Sequence, residues 1–336
     1  MMQENTARVK ALYEGTLHDL GEQGYPELNG ILSPLYDEQS IKRFMSQHYE
    51  NSAEAQKQAD SFNMEPYYRK LIGEAFHRVG FNDLEQKYLA LDVGCGFGST
   101  TLPLLELLPR ATVIASEFSP AMLAMLRRRL KQSPHADRCI PCQLNAEELL
   151  FKQGTFDLVV GAAILHHLFE PEKVLSGCAH ILKPGGLAIF FEPFEGGYSI
   201  MSFIYNEVLQ KNPFRIRGRL DRKTLDYFRH SLSYWQKMKS RDKSDPFFKG
   251  SDDKWLFTRS YLEKLSAAQG FSRVVLFPHS SVPTPFRNLF KVHTQGNGIT
   301  NLPAWVWEIV DHYEQALSLE LKEDLMTEGG IVFCKA

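Results

Sequence analysis

Apolar and polar positions in the middle of the chain predict buried strands that alternate with helices. Five short apolar runs have the length of buried strands. They are Tyr88–Val93, Ala111–Ser116, Cys139–Leu144, Phe156–Ala162 and Leu187–Phe191. Apolar residues recur at helical spacing between them, as in Pro120–Leu130 and Pro171–Leu182. The alternation predicts a parallel sheet with helices on both faces and ligands bound beyond the carboxyl ends of the strands.

The pattern is different on either side of this region. Before it, helical spacing occurs in Thr6–Leu20, Glu38–Phe62 and Pro66–Val79. After Pro193 comes a polar and aromatic stretch, with helices predicted at Met201–Leu209 and Lys223–Met238. The end of the chain contains predicted helices at Thr258–Gln269 and Ala304–Leu321, and predicted strands at Val274–Phe277 and Gly330–Lys335.

These changes of pattern divide the chain into four parts. Residues 1–86 form a helical N-terminal extension, either a lid or a packing element, and residues 87–193 form a ligand-binding core. Residues 194–254 form a helical insertion whose aromatic and methionine side chains suit a small apolar substrate. Residues 255–336 complete the core and include a second excursion at 278–326.

Composition excludes several classes of protein. The 336 residues have a net charge of −2, which argues against a general nucleic-acid binder, although residues 215–243 hold ten basic and three acidic residues. The pair Cys139 and Cys142 has no second pair near it, so no metal site is predicted. The N-terminus lacks a signal peptide, and no apolar run is long enough to span a membrane. The five scattered cysteines favour a reducing cytoplasm.

The turn after the first strand of the core carries the strongest chemical signal. Its residues are Asp92, Gly94, Cys95, Gly96 and Gly98, and the capping residues Ser99–Thr101 follow. A strand, a glycine turn and a helix N-terminus together bring backbone N–H groups close to a ligand, and glycine permits positive φ. A dinucleotide-binding turn would place its third glycine at position 99, which is Ser99, so the spacing argues against a nicotinamide enzyme.

The alternating glycines resemble the first motif of the class I S-adenosylmethionine-dependent methyltransferases. Later segments are similar to further loops of that family in the same order, and they are Asn145–Leu149, Gly161–Leu168, Leu182–Gly186 and Phe257–Phe271. The resemblance implies an α/β fold with a Rossmann-like, doubly wound sheet of seven strands, the last antiparallel. It also implies S-adenosyl-L-methionine as cofactor and S-adenosyl-L-homocysteine as product.

The loops after the strands supply the other candidate cofactor-binding residues. Glu117 lies 19 positions after Gly98, where a carboxylate can accept hydrogen bonds from two ribose hydroxyls, and Phe118 can lie against the purine. The resemblance places Asn145, Ala146 and Glu147 near the adenine, with Asn145 where the family usually has aspartate. It places Ala162 beside the methionine end.

His166 and His167, after the fourth strand, are the candidate catalytic residues. A neutral imidazole has a suitable pKa for taking a proton from a hydroxyl. His166 matches a catalytic histidine of the similar phosphoethanolamine methyltransferases, where a tyrosine assists it. Tyr25, Tyr36, Tyr67 and Tyr68 are candidates for that tyrosine. The alternative is that one histidine only packs or caps the next helix.

The sequence therefore predicts an enzyme that methylates a small-molecule acceptor, with oxygen as the favoured atom and nitrogen and carbon left open. One alternative is an RNA or protein methyltransferase that uses the basic part of the insertion. Another is a cofactor-binding scaffold without catalysis. The basic segment also leaves a carrier protein open as a partner, and no pattern indicates an oligomeric state.

Overall fold

A largely parallel sheet forms the centre of the protein, as the alternating pattern predicts. The structure is a computed structural model that describes residues 2–34, 36, 64–214 and 217–336. Its strands are β1 (His18–Asp19), β2 (Leu32–Ser33), β3 (Leu89–Val93), β4 (Thr112–Glu117), β5 (Cys139–Gln143), β6 (Phe156–Ala162), β7 (Leu182–Pro193), β8 (Phe271–Pro278) and β9 (Glu328–Lys335).

The described helices surround this sheet and extend from one end of it. They are α1 (Met2–Leu12), α2 (Glu65–Val79), α3 (Thr101–Leu107), α4 (Pro120–Leu130), α5 (Pro171–Ile181), α6 (Glu195–Lys211), α7 (Arg222–Lys239), α8 (Phe247–Gly250), α9 (Arg259–Ala268), α10 (Pro285–Gly296), α11 (Ala304–Ala316) and α12 (Leu319–Asp324).

The order of the strands is that of a doubly wound sheet. The strands lie in the order β1-β2-β5-β4-β3-β6-β7-β9-β8. Strands β2 to β7 pair in parallel, and β9 is antiparallel to both β7 and β8. The prediction of seven core strands with the last one antiparallel is therefore confirmed. The sheet has nine strands because β1 and β2, each two residues long, extend its edge.

Both faces of the sheet are buried, which explains why the strands are apolar almost throughout. Ala90 of β3 points into one core, with side chains of α2, α3 and α4. Leu91 points into the other core, with side chains of α1, α5 and α9. All five residues of β3, the central strand, are buried.

The insertion and the second excursion pack together as one helical unit. Helices α6 and α7 share a core with α10 and α11, built around the buried side chains of Tyr205, Phe228, Phe290 and Val306. Helix α10 was not predicted. The sequence places these two stretches on either side of α9 and β8, and only the fold shows that they cover each other's apolar faces.

Several helix boundaries differ from those predicted. Helix α1 ends at Leu12, and Tyr13 then forms a bridge with Phe151 at the sheet edge. The helix predicted over Ala304–Leu321 is broken, because the Ser318 side chain accepts a hydrogen bond from Leu321 N and starts α12. The helix predicted at Glu38–Phe62 lies outside the described residues. Among the described residues, no helix combines the length and apolarity needed to cross a membrane.

Two glycines provide a matched test of packing. A Cβ on Gly330 in β9 would lie 2.1 Å from Cζ of Phe277, whereas a Cβ on Gly73 in α2 would meet nothing within 4 Å. We expect Gly330→Ala to lower the free energy of unfolding by about 1–3 kcal/mol. Gly73→Ala should raise it by about 0.5–1 kcal/mol because alanine favours a helix interior. Urea denaturation measures the free energy of unfolding of both variants. Equal changes in the two variants would contradict the close packing of β9 around Gly330.

Candidate functional site

A cavity of about 320 Å³ lies beyond the carboxyl ends of the parallel strands. Many of the residues predicted to bind the cofactor line it, together with one predicted catalytic residue. These are Gly94, Cys95, Gly96, Glu117, Phe118, Asn145, Ala146, Ala162 and His167. Asp92, Gly98, Glu147 and His166 do not line it. Lining residues that the sequence did not indicate come from the start of α2 and from the insertion, at Met64 and Asp252.

The glycine turn has the backbone conformation that its sequence predicts. Gly94, Gly96 and Gly98 have φ values of +67°, +54° and +97°, in the region that favours glycine. A Cβ on Gly94 would lie 2.7 Å from Cδ1 of Ile164, whereas a Cβ on Gly96 would meet no atom within 4 Å. Gly96 is therefore required for its backbone conformation and for the space that it leaves beside the cavity.

Asp92 lies beneath this turn as a fully buried carboxylate. Thr100 and Thr101 donate to its Oδ2 at 2.7 and 2.5 Å, so these hydroxyls bind Asp92 and do not cap α3 as predicted. Its buried Oδ1 has no hydrogen-bond partner among the described residues. Burial raises the pKa of Asp92 to about 6, and the side chain is ionised at neutral pH. An unsatisfied anionic oxygen at this position suits a ligand ammonium group.

Glu117 connects the end of β4 to the glycine turn. Its Oε2 accepts a hydrogen bond from Gly96 N at 3.0 Å, and its Oε1 accepts one from Ser119 N at 2.8 Å. A carboxylate oxygen can accept more than one hydrogen bond, so these contacts orient the group and leave capacity for ligand hydroxyls. The position fits the role in ribose binding that the sequence predicts.

The predicted adenine side of the cavity is organised differently from the sequence expectation. Asn145 Oδ1 accepts a hydrogen bond from Glu147 N at 3.0 Å and forms a local turn. The backbone N of Asn145 donates to the Tyr36 hydroxyl at 2.8 Å, and the Tyr36 ring lies 4.8 Å from that of Phe118. Asn145 therefore shapes the loop, and Glu147 supports it from outside the cavity.

His166 lies behind the cavity wall, between two carboxylates. Its Nδ1 is 2.5 Å from Glu192 Oε2, and its Nε2 is 3.4 Å from Asp253 Oδ1. Burial by itself lowers the pKa of His166, but the two carboxylates outweigh burial and raise it to about 10. The ring is therefore a fixed cation at neutral pH. The structure does not bring it to the cavity as a neutral base.

His167 does line the cavity, and its charge is the opposite of its neighbour's. Burial, followed by repulsion from the His166 cation, lowers the pKa of His167 to about 4. Its Nδ1 lies 3.2 Å from the carbonyl oxygen of Asp252. A carbonyl oxygen only accepts, so Nδ1 carries the proton and Nε2 carries the lone pair. His167 is thus a neutral imidazole with base character.

Glu192, at the end of β7, is a functional residue that the sequence analysis missed. It is fully buried, and its oxygens accept hydrogen bonds from the backbone N–H groups of Ile164, Leu165 and His166 at 2.8–3.2 Å. These contacts hold the loop after β6, in which Ala163 has a strained φ of +52°. The available signal was a carboxylate at the carboxyl end of a predicted parallel strand.

The structure offers no metal geometry at the cysteines and one compact group of side chains elsewhere. Cys139 and Cys142 point into opposite cores of the sheet, so they cannot share an ion. In the part of the chain that the structure describes, only His166, His167 and Asp253 bring three ligand atoms within 4.8 Å of one another. The ion pairs and hydrogen bonds given above account for their positions.

The ion pair between Glu192 and His166 should make the free energy of unfolding depend on pH. The folded pKa of His166 is raised, so its ion pairs stabilise the fold fully below the unfolded pKa of 6.5 and lose this effect as the pH rises through about 10. Glu192→Gln should lower the free energy of unfolding by about 3–5 kcal/mol at pH 7, because it removes the closer of the two carboxylates that compensate a buried cation. Urea denaturation from pH 6 to 10 measures both effects.

His166→Gln should remove the pH-dependent loss of stability, and His180→Gln, at an exposed position of α5, should retain it. An unchanged pH profile in His166→Gln would contradict the assignment of the buried cation.

Comparison with known proteins gives three similarities. A family model described as a methyltransferase domain matches residues 91–190. The demethylmenaquinone methyltransferase of Symbiobacterium thermophilum is 30% identical over 178 residues, which cover 52% of this chain and 68% of that protein. The malonyl-[acyl-carrier protein] O-methyltransferase of Haemophilus ducreyi is 32% identical over 101 residues, which cover 30% of this chain and 39% of that protein.

A similar solved structure is the phosphoethanolamine N-methyltransferase 2 of Haemonchus contortus in complex with S-adenosyl-L-methionine. It is 16% identical and has a TM-score of 0.44, with 76% of this chain and 50% of that chain covered. The residues that the family model matches include the glycine turn and extend from β3 to β7. This chain belongs to the class I S-adenosyl-L-methionine-dependent methyltransferases.

Proposed function

We propose that this protein transfers the methyl group of S-adenosyl-L-methionine to a hydroxyl oxygen of a small molecule. The observation that carries the proposal is the placement of the neutral His167 on the wall of the same cavity as the glycine turn and Glu117. The residues expected to bind the cofactor and the imidazole of His167 therefore lie on the wall of the same cavity.

The residues present fit the cofactor. Glu117 suits its ribose hydroxyls and Phe118 offers an aromatic face to its purine, while Asp92, buried beneath the glycine turn, adds negative charge near the ammonium group without lining the cavity. When bound, the cofactor supplies a methyl group attached to a positively charged sulfur. The chain's own contribution is to hold acceptor and cofactor in the geometry of attack, which is worth roughly 7–11 kcal/mol, and to remove the hydroxyl proton.

His167 is the residue that we propose as the base. Its protonated Nδ1 is held by the Asp252 carbonyl, so the lone pair at Nε2 is the one available to a hydroxyl proton. Tyr68 is the only one of the four candidate tyrosines that lines the cavity. Tyr36 supports the Asn145 loop, and Tyr67 contacts His279.

The charge of the cavity wall restricts the acceptor. Among the described lining residues, Glu117 and Asp252 are the charged ones, and no lysine or arginine is present. A carboxylate or phosphate next to the reacting atom would find no lysine or arginine to pair with on this described wall. A neutral or cationic acceptor fits better, and a carrier-borne acceptor would have to present an uncharged end.

The basic segment of the insertion gives no specific support to an RNA acceptor. Arg222 and Arg229 both pair with Asp226, and Lys237 pairs with Asp245, so these three basic residues are engaged in local ion pairs. We also propose a cytoplasmic location, because all five cysteines are free buried thiols.

Binding of S-adenosyl-L-homocysteine tests the cofactor part of the proposal. Isothermal titration should show binding, and Glu117→Ala should weaken it at least about tenfold, because charge-assisted hydrogen bonds contribute about 1.5–3 kcal/mol. Glu263→Ala, at an exposed position of α9, is the matched control and should bind normally. No binding by folded wild-type protein would refute the proposed function.

A second experiment tests His167 once a panel of hydroxylated acceptors has shown turnover. His167→Gln should lower kcat about 10²–10⁴-fold with little change in cofactor affinity. The pKa of His167 is lowered to about 4, so wild-type kcat should stay level from pH 8 down to about pH 5 and fall only below that. An unchanged kcat in His167→Gln would eliminate it as the base.

A further inference from the structure

A second polar cluster lies behind the cavity, where the ends of β7 and β9 meet the insertion. Residues Pro193 and Glu328 are paired across these antiparallel strands, so Glu192 and Glu328 lie close together. Asp253 of the insertion approaches from the other side. Among the described groups that influence Glu328, three are acidic or phenolic, and His166 is the cation. The cluster therefore holds more negative than positive charge.

Glu328 has few polar contacts among the residues that the structure describes. Its side chain has one polar contact among the described residues, the Tyr198 hydroxyl at 3.4 Å. Burial, and next to it the charges of Glu192 and Asp253, outweigh the attraction of His166 and raise the pKa of Glu328 to about 7. Glu328 is half-buried, and its nearby cation, His166, is shared with Glu192 and Asp253, so keeping this carboxylate carries a desolvation cost and favours a role in binding.

Glu314 shows how this chain treats a buried carboxylate that serves the fold. It is 3% exposed, lies 2.9 Å from Nζ of Lys322, and accepts a hydrogen bond from Arg287 N at 2.8 Å. The structure gives Glu328 no such lysine within its described surroundings. The cation that acts on Glu328 is His166, which Glu192 and Asp253 already engage, so the charge of Glu328 is only partly compensated.

An aromatic group adjoins Glu328. The rings of Tyr67, Tyr68, Phe191 and His279 follow one another in a closed circuit, with neighbouring centroids 5.5–5.8 Å apart. The backbone N of His279 donates to the carbonyl oxygen of Glu328 at 3.0 Å, which fixes the group beside that residue. Aromatic faces next to a carboxylate are the surroundings that bind organic ammonium ions.

The ring nitrogen Nε2 of His279 is an independent sign of a missing ligand. It is buried and has no hydrogen-bond partner in the described part of the chain, while Nδ1 contacts the Tyr67 hydroxyl at 2.8 Å. Burial lowers the pKa of His279 to about 4, so the ring is neutral. When Nδ1 donates to Tyr67, Nε2 can accept a hydrogen bond from a ligand.

We infer that Glu328, Tyr198 and the four-ring group form an acceptor subsite that binds a cationic nitrogen. The inference rests on the proposed function and names the substrate class, a small molecule that carries an amine as well as the hydroxyl to be methylated. Tyr68 belongs both to this subsite and to the wall of the cofactor cavity, so the two sites adjoin at Tyr68.

An alternative explanation is that the negative charge of Glu328 stabilises the sulfonium group of the cofactor. The two explanations differ in one measurable quantity, the ratio of the affinities for S-adenosyl-L-methionine and S-adenosyl-L-homocysteine. Only the first ligand carries the sulfonium charge. Loss of a carboxylate that serves the sulfonium must lower this ratio, whereas loss of an acceptor contact leaves it unchanged.

The experiment uses full-length protein saturated with S-adenosyl-L-homocysteine. Dimethylethanolammonium and its uncharged isostere 3-methylbutan-1-ol are titrated by calorimetry at neutral pH. We expect the cation to bind at least about tenfold more tightly than the alcohol. Glu328→Gln should abolish this preference and leave the ratio of cofactor affinities unchanged, and Glu263→Gln should retain the preference.

Melting temperatures at pH 8 show that the variants are folded and give a further readout. Glu328→Gln should melt at or above the wild-type temperature because it removes a charge that His166 compensates only in part, whereas Glu314→Gln should melt about 2–4 °C or more below it. Equal decreases in the melting temperature of both variants would mean that Glu328 is an ordinary structural carboxylate and would overturn the inference.

The remaining outcomes are also decisive. Absence of S-adenosyl-L-homocysteine binding would refute the proposed function itself. Normal binding of that ligand without any preference for the cation would overturn only the acceptor subsite. A selective loss of S-adenosyl-L-methionine affinity in Glu328→Gln would assign the charge to the sulfonium and would also overturn the subsite.

Discussion

The site depends on one buried carboxylate, that of Glu192. Its two oxygens accept hydrogen bonds from three consecutive backbone N–H groups and form an ion pair with the ring of His166. Without it, the loop after β6 would bury three unsatisfied donors, each at a cost of about 1–3 kcal/mol. That loop also contains Ala163 in a strained conformation and presents the cavity wall. The side chain of Glu192, at the end of β7, therefore determines the shape of the part of the cavity wall that the loop after β6 forms.

The same carboxylate separates the properties of two adjacent histidines. His166 faces Glu192 and Asp253 and is held as a cation, whereas His167 faces the Asp252 carbonyl and that cation and is held neutral. The two rings lie 4.0 Å apart, so protonating both would place like charges in contact within a buried region. The insertion takes part in this arrangement, because Lys254 N donates to the His166 carbonyl at 2.7 Å and Trp255 Nε1 donates to that of Leu168 at 2.8 Å.

The sequence predicted those parts of the fold and site that depend on neighbouring residues. The core strands and the glycine turn follow from apolar runs and local backbone requirements, and Glu117 follows from its position at a strand end. Strands β1 and β2 have two residues each, which is too short to show the alternation of apolar and polar residues that predicts a strand. Asp252 and Asp253 reach the site from some 85 residues beyond His167, and nothing in their own segment predicts that contact. The sequence around His166 and His167 also did not indicate that the two rings differ in charge, because the charge of each ring is set by groups distant in the sequence.

Charge links the cofactor site with the proposed acceptor subsite. Glu117 and Asp252 line the cavity, whose described wall has no lysine or arginine, and Asp92, Asp253 and Glu328 lie behind that wall. Such a volume destabilises the folded protein when it is empty and favours cations when it is filled. S-adenosyl-L-methionine supplies positive charge at its ammonium and sulfonium groups, so the charge near Asp92 and Glu117 has a ligand. The carboxylate of Glu328 lies on the far side of Tyr68, next to aromatic rings, and a cationic acceptor is the ligand that would compensate it.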